Sequence, residues 1–112
     1  MEKLYLVVIG IVIVAAIAGF LLIRPKSESE VEIARAACVK ACKDALNSGR
    51  DLSNGPCLLD PIESLPKWVC DVAHDPREDI DNKPENQCSK FREGSAIHFV
   101  EVNPNCEVIK IY

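Results

Sequence analysis

The chain has 112 residues, with 13 Lys+Arg against 17 Asp+Glu and a formal net charge of -4. That length holds one domain at most, and an acidic balance without a basic block excludes a nucleic-acid binder held by phosphate contacts. The 48% hydrophobic content is unevenly spread: residues 4–23 are apolar or glycine throughout, and the polar remainder carries all six cysteines.

Leu4 to Ile23 reads LYLVVIGIVIVAAIAGFLLI, twenty residues without a charge. As a helix it spans about 30 Å, the thickness of a bilayer's hydrocarbon core. A domain this small cannot surround a helix that is apolar on every side. Residues 1–26 are therefore read as a transmembrane signal-anchor that meets the lipid bilayer through residues 4–23. Ala16-Ile17-Ala18 has the small-x-small pattern of a signal-peptidase site, so a cleaved signal stays open. The apolar run continuing from Gly19 to Ile23 favours a retained anchor.

Charge alone leaves the orientation ambiguous, because Lys3 stands on one side and Arg24 and Lys26 on the other. The cysteines decide it. Cys38, Cys42, Cys57, Cys70, Cys88 and Cys106 all follow the apolar segment. An even number behind an export signal reads as a disulfide framework, which needs an oxidising compartment. The expected location is the cell membrane, crossed once, with the C-terminal domain (residues 27–112) outside the cytoplasm. From residue 27 onward ten basic residues face sixteen acidic ones, so this is not a polybasic lipid-binding domain.

Ser27/Glu30 and Ser29/Glu32 both have capping-box spacing, which predicts a helix start. The helix should run to about Leu46 and stop at Asn47-Ser48-Gly49. Val31, Ala34, Cys38, Ala41, Cys42, Ala45 and Leu46 fall on one stripe. Residues 50–66 read as loop, with a turn at Ser53-Asn54-Gly55-Pro56 and with Pro61 and Pro66 discouraging regular structure. Trp68 to His74 is strand-like, with Trp68, Cys70, Val72 and His74 on one face. Asp75 to Gln87 is polar, broken by Pro76 and Pro84, and reads as loop. Ala96–Val102 and Glu107–Tyr112 flank the turn Asn103-Pro104-Asn105 as a hairpin. The expected fold is α+β: one main helix on a short, mainly antiparallel sheet, stapled by disulfides. Few aromatics make a marginal core, and three disulfides at roughly 2–4 kcal/mol each supply much of the missing stability.

Cys38-x-x-x-Cys42 places two sulfurs one helical turn apart. Each is read as stapling the helix to a different strand or loop, since redox catalysts prefer Cys-x-x-Cys at a helix start. Six cysteines allow about 15 pairings. The expectation joins the helix cysteines to Cys57 and Cys70 and leaves Cys88 with Cys106. His74 and His98 are zinc-ligand types, but no paired Cys-x-x-Cys or His-x-x-x-His spacing supports a site. Asp79-Ile80-Asp81-Asn82 lacks the glycine of a calcium loop and reads as a solvated acidic loop. No Ser-His-Asp order or nucleophile elbow stands out. The candidate polar cluster is Asp71, His74, Arg77, Arg92, His98 and Glu101, suited to a small anion or to acid–base chemistry. Local hydrogen bonding of both histidines at strand ends is the plainer expectation. No catalytic residue, metal or cofactor is assigned, and the chain is read as a non-enzyme.

The strings Trp68-Val69-Cys70-Asp71-Val72-Ala73-His74-Asp75-Pro76-Arg77, Asp81-Asn82-Lys83-Pro84-Glu85-Asn86-Gln87-Cys88, Phe91-Arg92-Glu93-Gly94 and His98-Phe99-Val100-Glu101-Val102-Asn103-Pro104-Asn105-Cys106 resemble an archaeal family of small, membrane-anchored, cysteine-containing proteins. The resemblance covers roughly residues 36–112, including the Asp51-Leu52-Ser53-x-Gly55-Pro56-Cys57 turn. It implies a whole outer domain of one type behind a variable anchor, at an archaeal cell surface. The family carries no assigned activity, so the resemblance brings no catalytic residues.

The resulting expectation is an anchored, extracytoplasmic binding or assembly module with an envelope protein as partner. Two alternatives remain. A pilin-like filament subunit shares the layout of apolar helix, amphipathic helix and C-terminal sheet, although Glu2-Lys3-Leu4 lacks the small residue of a prepilin site. A small envelope enzyme or metal-binding domain would use His74 and His98.

Overall fold

The computed structural model describes residues 29–112. The predicted anchor, its cleavage motif and the Ser27 capping box lie outside them. Among the described residues no helix is long and apolar enough to cross a membrane.

Helix α1 spans Glu30–Asn47. Ser29 caps it, its Oγ accepting the Glu32 N–H at 3.3 Å. Glu30 and Glu32 place negative charge in the first turn, against the positive end of the helix dipole. The chain leaves through Gly49 at φ +82°, a conformation that costs glycine little. Ala34, Cys38 and Cys42, four residues apart, are fully buried. The predicted stripe runs further than the burial does: Val31 and Leu46 are 37% and 43% exposed. The 18-residue helix is about 27 Å long, whereas a five-residue strand covers about 17 Å.

The sheet has four strands in the order β1-β2-β3-β4: β1 (Cys57–Leu59), β2 (Trp68–Val72), β3 (His98–Val102) and β4 (Val108–Ile111). The outer pairs are antiparallel and the central pair, β2 with β3, is parallel. The sheet is therefore mixed, which refines the expectation of a mainly antiparallel one. A parallel pair requires a long crossover, and residues 73–97 supply it. This crossover holds 3-10 turns at Asp79–Asn82 and Pro84–Asn86 and the one-turn helix α2 (Ser89–Arg92). Residues 57–59 form a strand where loop was expected. Three residues are too few for a periodic signal, and the pairing with Asp71 and Cys70 contains an irregularity.

Helix α1 covers one sheet face. There Trp68, Cys70 and Val72 of β2 and Val100 and Val102 of β3 pack with Ala34, Cys38 and Cys42. Each fully buried valine contributes roughly 1.5–3 kcal/mol. Trp68 also stacks on His98, with ring centroids 4.6 Å apart, and its Nε1 donates to Glu30 Oε2 at 3.4 Å.

Three disulfides bolt this arrangement: Cys38–Cys70, Cys42–Cys106 and Cys57–Cys88. The two helix cysteines do reach different elements, β2 and the β3–β4 turn. Of the expected pairings, only the link from a helix cysteine to Cys70 is present. The correction has a geometric cause. Alternation along β2 turns Cys70 toward α1, whereas Cys57 packs with Val69, Cys88, Ala96 and Phe99 in a separate cluster. Cys57 therefore finds Cys88 there, and Cys106 is left for Cys42. The hairpin turn is organised by Asn103, whose Oδ1 accepts the N–H groups of Asn105 and Glu107 at 3.0 and 2.9 Å.

Candidate functional site

The sheet face opposite α1 carries Val69 and Asp71 from β2, Phe99 and Glu101 from β3, and Lys110 from β4. Asp71 pairs with Glu101, and Glu101 with Lys110. Directly paired residues point to the same face, so these three ionisable side chains form one row across three strands. The crossover flanks the row and forms with it an open cleft of about 540 Å³, within the roughly 300–1,000 Å³ range of small-molecule sites. Its crossover wall includes Arg77, Cys88, Phe91 and Arg92.

That wall is held by two devices. The Cys57–Cys88 disulfide ties the start of α2 to β1. Asp60 caps α2 from a distance: its carboxylate accepts from Ser89 N–H, Ser89 Oγ and Lys90 N–H at 2.8, 2.7 and 2.9 Å. Burial pushes the Asp60 carboxyl up, but these hydrogen bonds outweigh it and hold its pKa below the usual carboxylate range.

Within the cleft Arg77 Nη1 donates to Glu101 Oε2 at 2.8 Å. Arg77 Nε and Nη2 donate to Asn82 Oδ1 and the Asp81 carbonyl at 2.7 and 3.2 Å. The guanidinium is thus fixed, and the buried Glu101 is paired. Asp71 is not: its Oδ1 is buried without a hydrogen-bond partner. Burial, reinforced by the neighbouring Glu101 charge and only partly offset by Arg77, raises the Asp71 pKa to about 8. At neutral pH Asp71 therefore carries its proton.

Four members of the predicted polar cluster, Asp71, Arg77, Arg92 and Glu101, line this cleft. The two histidines do not. His98 opens β3 opposite Trp68, and its Nδ1 lies 3.2 Å from the Tyr112 carbonyl. His74 follows the far end of β2, where Nδ1 meets Asp81 Oδ1 at 2.9 Å and Nε2 meets Glu78 Oε2 at 3.3 Å. A joint His74–His98 site is therefore not formed, because the parallel β2–β3 pair puts them at opposite ends. Two other hollows have comparable volumes, about 530 and 510 Å³, the second beside His74. Volume does not single out the cleft; the orphaned Asp71 oxygen does.

Asp81 overturns the expectation of a solvated acidic loop, since it is 1% exposed. Its Oδ2 accepts the N–H groups of His74 and Glu78 at 2.9 and 3.0 Å. Burial raises its pKa, but these bonds and His74 outweigh that and leave it lowered. Among the described residues one trio of metal-ligand types converges, Cys57, Asp60 and Cys88. Both sulfurs are in a disulfide and so are not thiolate ligands, and Asp60 is committed to α2.

Lys110, Phe91 and Phe99 also line the cleft and lie outside the predicted polar cluster. No short-range signal places Lys110, because a register shift between Glu101 and Val102 decides which face it takes. No family model, curated protein or solved structure matches this chain.

Proposed function

We propose that this chain is a single-pass, membrane-anchored binding or assembly module whose working surface is the cleft over Asp71, Glu101 and Lys110, presented outside the cytoplasm. One observation carries the reading: a preformed cleft, fixed by a disulfide and a long-range cap, holds a buried carboxyl oxygen without a partner. Buried polar atoms are nearly always satisfied, and exceptions mark strain or a missing partner. The charge-free segment 4–23 supports the anchor. Three closed disulfides favour an oxidising side of the membrane. The resemblance to an archaeal membrane-anchored family agrees with both.

The test uses cells producing the full chain. Membrane-impermeant protease and thiol reagents are applied to spheroplasts before and after reduction. The expected result is cleavage of the domain from outside and thiol labelling only after reduction. Six free thiols, or a domain protected by the intact membrane, would overturn the reading.

A second reading has its own support. A carboxyl protonated at neutral pH beside an ionised one is the pattern of a general acid, and Asp71 beside Glu101 has it. Turnover of ester, glycoside or phosphoester substrates by the full chain, lost in Asp71→Asn, would favour that enzyme over the binding module.

A further inference from the structure

We infer that the cleft takes a small organic oxyanion, a carboxylate or phosphate monoester on an apolar body that also carries a hydroxyl group. The inference rests on reading the cleft as a binding site and adds the ligand's chemistry.

The charges in the cleft do not cancel. Arg77 is committed to Glu101, Asn82 and the Asp81 carbonyl. Arg92 and Lys110 line the same cleft, and neither has an ion pair among the described residues. With Asp71 holding its proton, the cleft carries a surplus of two positive charges within an acidic chain. A cleft lined by a surplus of one sign concentrates the opposite ion, so such a surplus selects an anion.

The row across the strands sets the length of the ligand. Adjacent strands lie about 4.8 Å apart, which puts Lys110 and Asp71 about 10 Å apart at the backbone, with the Arg77–Glu101 pair between them. An oxyanion at Lys110 and Arg92 leaves the ligand's other end near Asp71. There Asp71 Oδ1 has no hydrogen-bond partner, and a hydroxyl group, which both donates and accepts, supplies one. The intervening surface is apolar: Val69, Phe91, Phe99 and Cys88 line the cleft. Lys110 Nζ already sits 5.7 Å from the Phe99 ring centroid, so cation and apolar wall adjoin. A bare inorganic ion would leave both the wall and Asp71 unused.

The experiment titrates the full chain in detergent with four probes: 4-hydroxybenzoate, benzoate, 4-hydroxybenzylamine and inorganic phosphate. Binding is read by calorimetry and by ligand-detected NMR. The expected order places 4-hydroxybenzoate first, with each other probe at least about tenfold weaker, the equivalent of 1.4 kcal/mol. Arg92→Ala and Lys110→Ala each weaken 4-hydroxybenzoate about tenfold; both residues are exposed, so the fold survives. Asp71→Ala removes the preference for 4-hydroxybenzoate over benzoate. Tighter binding of the amine, still competed at the cleft, would overturn the anion assignment while keeping the cleft as a binding site. Binding of none of the four probes, or binding indifferent to Arg92, Lys110 and Asp71, would overturn both. Nanodiscs separate the sources of the oxyanion. Weaker probe binding in phosphatidylglycerol than in phosphatidylcholine supports an anionic lipid headgroup as occupant, and equal binding supports a free organic acid.

Discussion

Asp71 and Glu101 face each other across the parallel β2–β3 pair, yet of these two carboxyls Arg77 bonds Glu101 alone, at 2.8 Å. Two adjacent carboxyls with one cation divide the charge unequally. Glu101 takes the guanidinium, and Asp71 keeps a proton. The domain thus holds a neutral acid against a charged one on the same sheet face, next to the cations that line the cleft.

This asymmetry predicts a pH profile. The folded-state pKa of Asp71 is raised to about 8, against about 3.9 when unfolded. Between those values the folded chain binds the extra proton, so this group's contribution to stability falls as pH rises. Asp71→Asn has no proton to lose. Its unfolding free energy, measured in urea, should match the parent near pH 4 and exceed it increasingly up to pH 8, by a margin on the order of a few kcal/mol at most.

Removing the cation should have the opposite effect. Arg77→Ala leaves Glu101 buried and unpaired, while Arg77 itself is 41% exposed at its side chain. The expected loss is about 1–3 kcal/mol, below that of a fully buried pair. Glu101→Gln should recover most of it in the double variant, measured as a thermodynamic cycle by chemical denaturation.

Asp81 anchors the crossover, and Gly55 makes room for it. Gly55 has φ +65°, and an added Cβ would press on the Asp81 carboxylate and lie 3.1 Å from the Val72 carbonyl. Gly55→Ala should therefore destabilise by more than about 1 kcal/mol. Asp81→Ala strips the acceptor from two backbone N–H groups and His74, at a cost of about 2–4 kcal/mol. Because the Asp81 pKa is lowered, its contribution is present above the unfolded value of about 3.9 and fades as pH drops below it. The difference between parent and Asp81→Ala in urea should shrink in acid accordingly.

The disulfides should divide into stability and site. Cys42–Cys106 closes 64 residues of chain and Cys57–Cys88 closes 31. Chain entropy assigns them about 4.3 and 3.7 kcal/mol, so replacing Cys42 and Cys106 by alanine costs slightly more. Cys88 of the other pair lines the cleft instead. Replacing that pair should free α2 and accelerate amide hydrogen exchange at Ser89–Arg92, a region the Cys42/Cys106 replacement leaves protected.

Local chemistry by itself determined a good deal. The capping spacing at Ser29 and Glu32, the exit at Gly49 and the alternation in residues 96–112 placed α1 and the hairpin, because caps and alternation act over a few neighbouring residues. The even cysteine count announced disulfides for the same domain, and four of the six expected polar residues converge. The tertiary structure alone decided the pairing of Cys57 and the direction of β3. Both depend on how the 25-residue crossover folds back, which no short window encodes. It also decided the row. Counting back from the Val102–Val108 pair would set Ile109 opposite Glu101, but a register shift between Glu101 and Val102 sets Lys110 there instead. A slip of one residue exchanges the two faces of a strand, so that one irregularity puts a cation in the cleft where an isoleucine would otherwise stand.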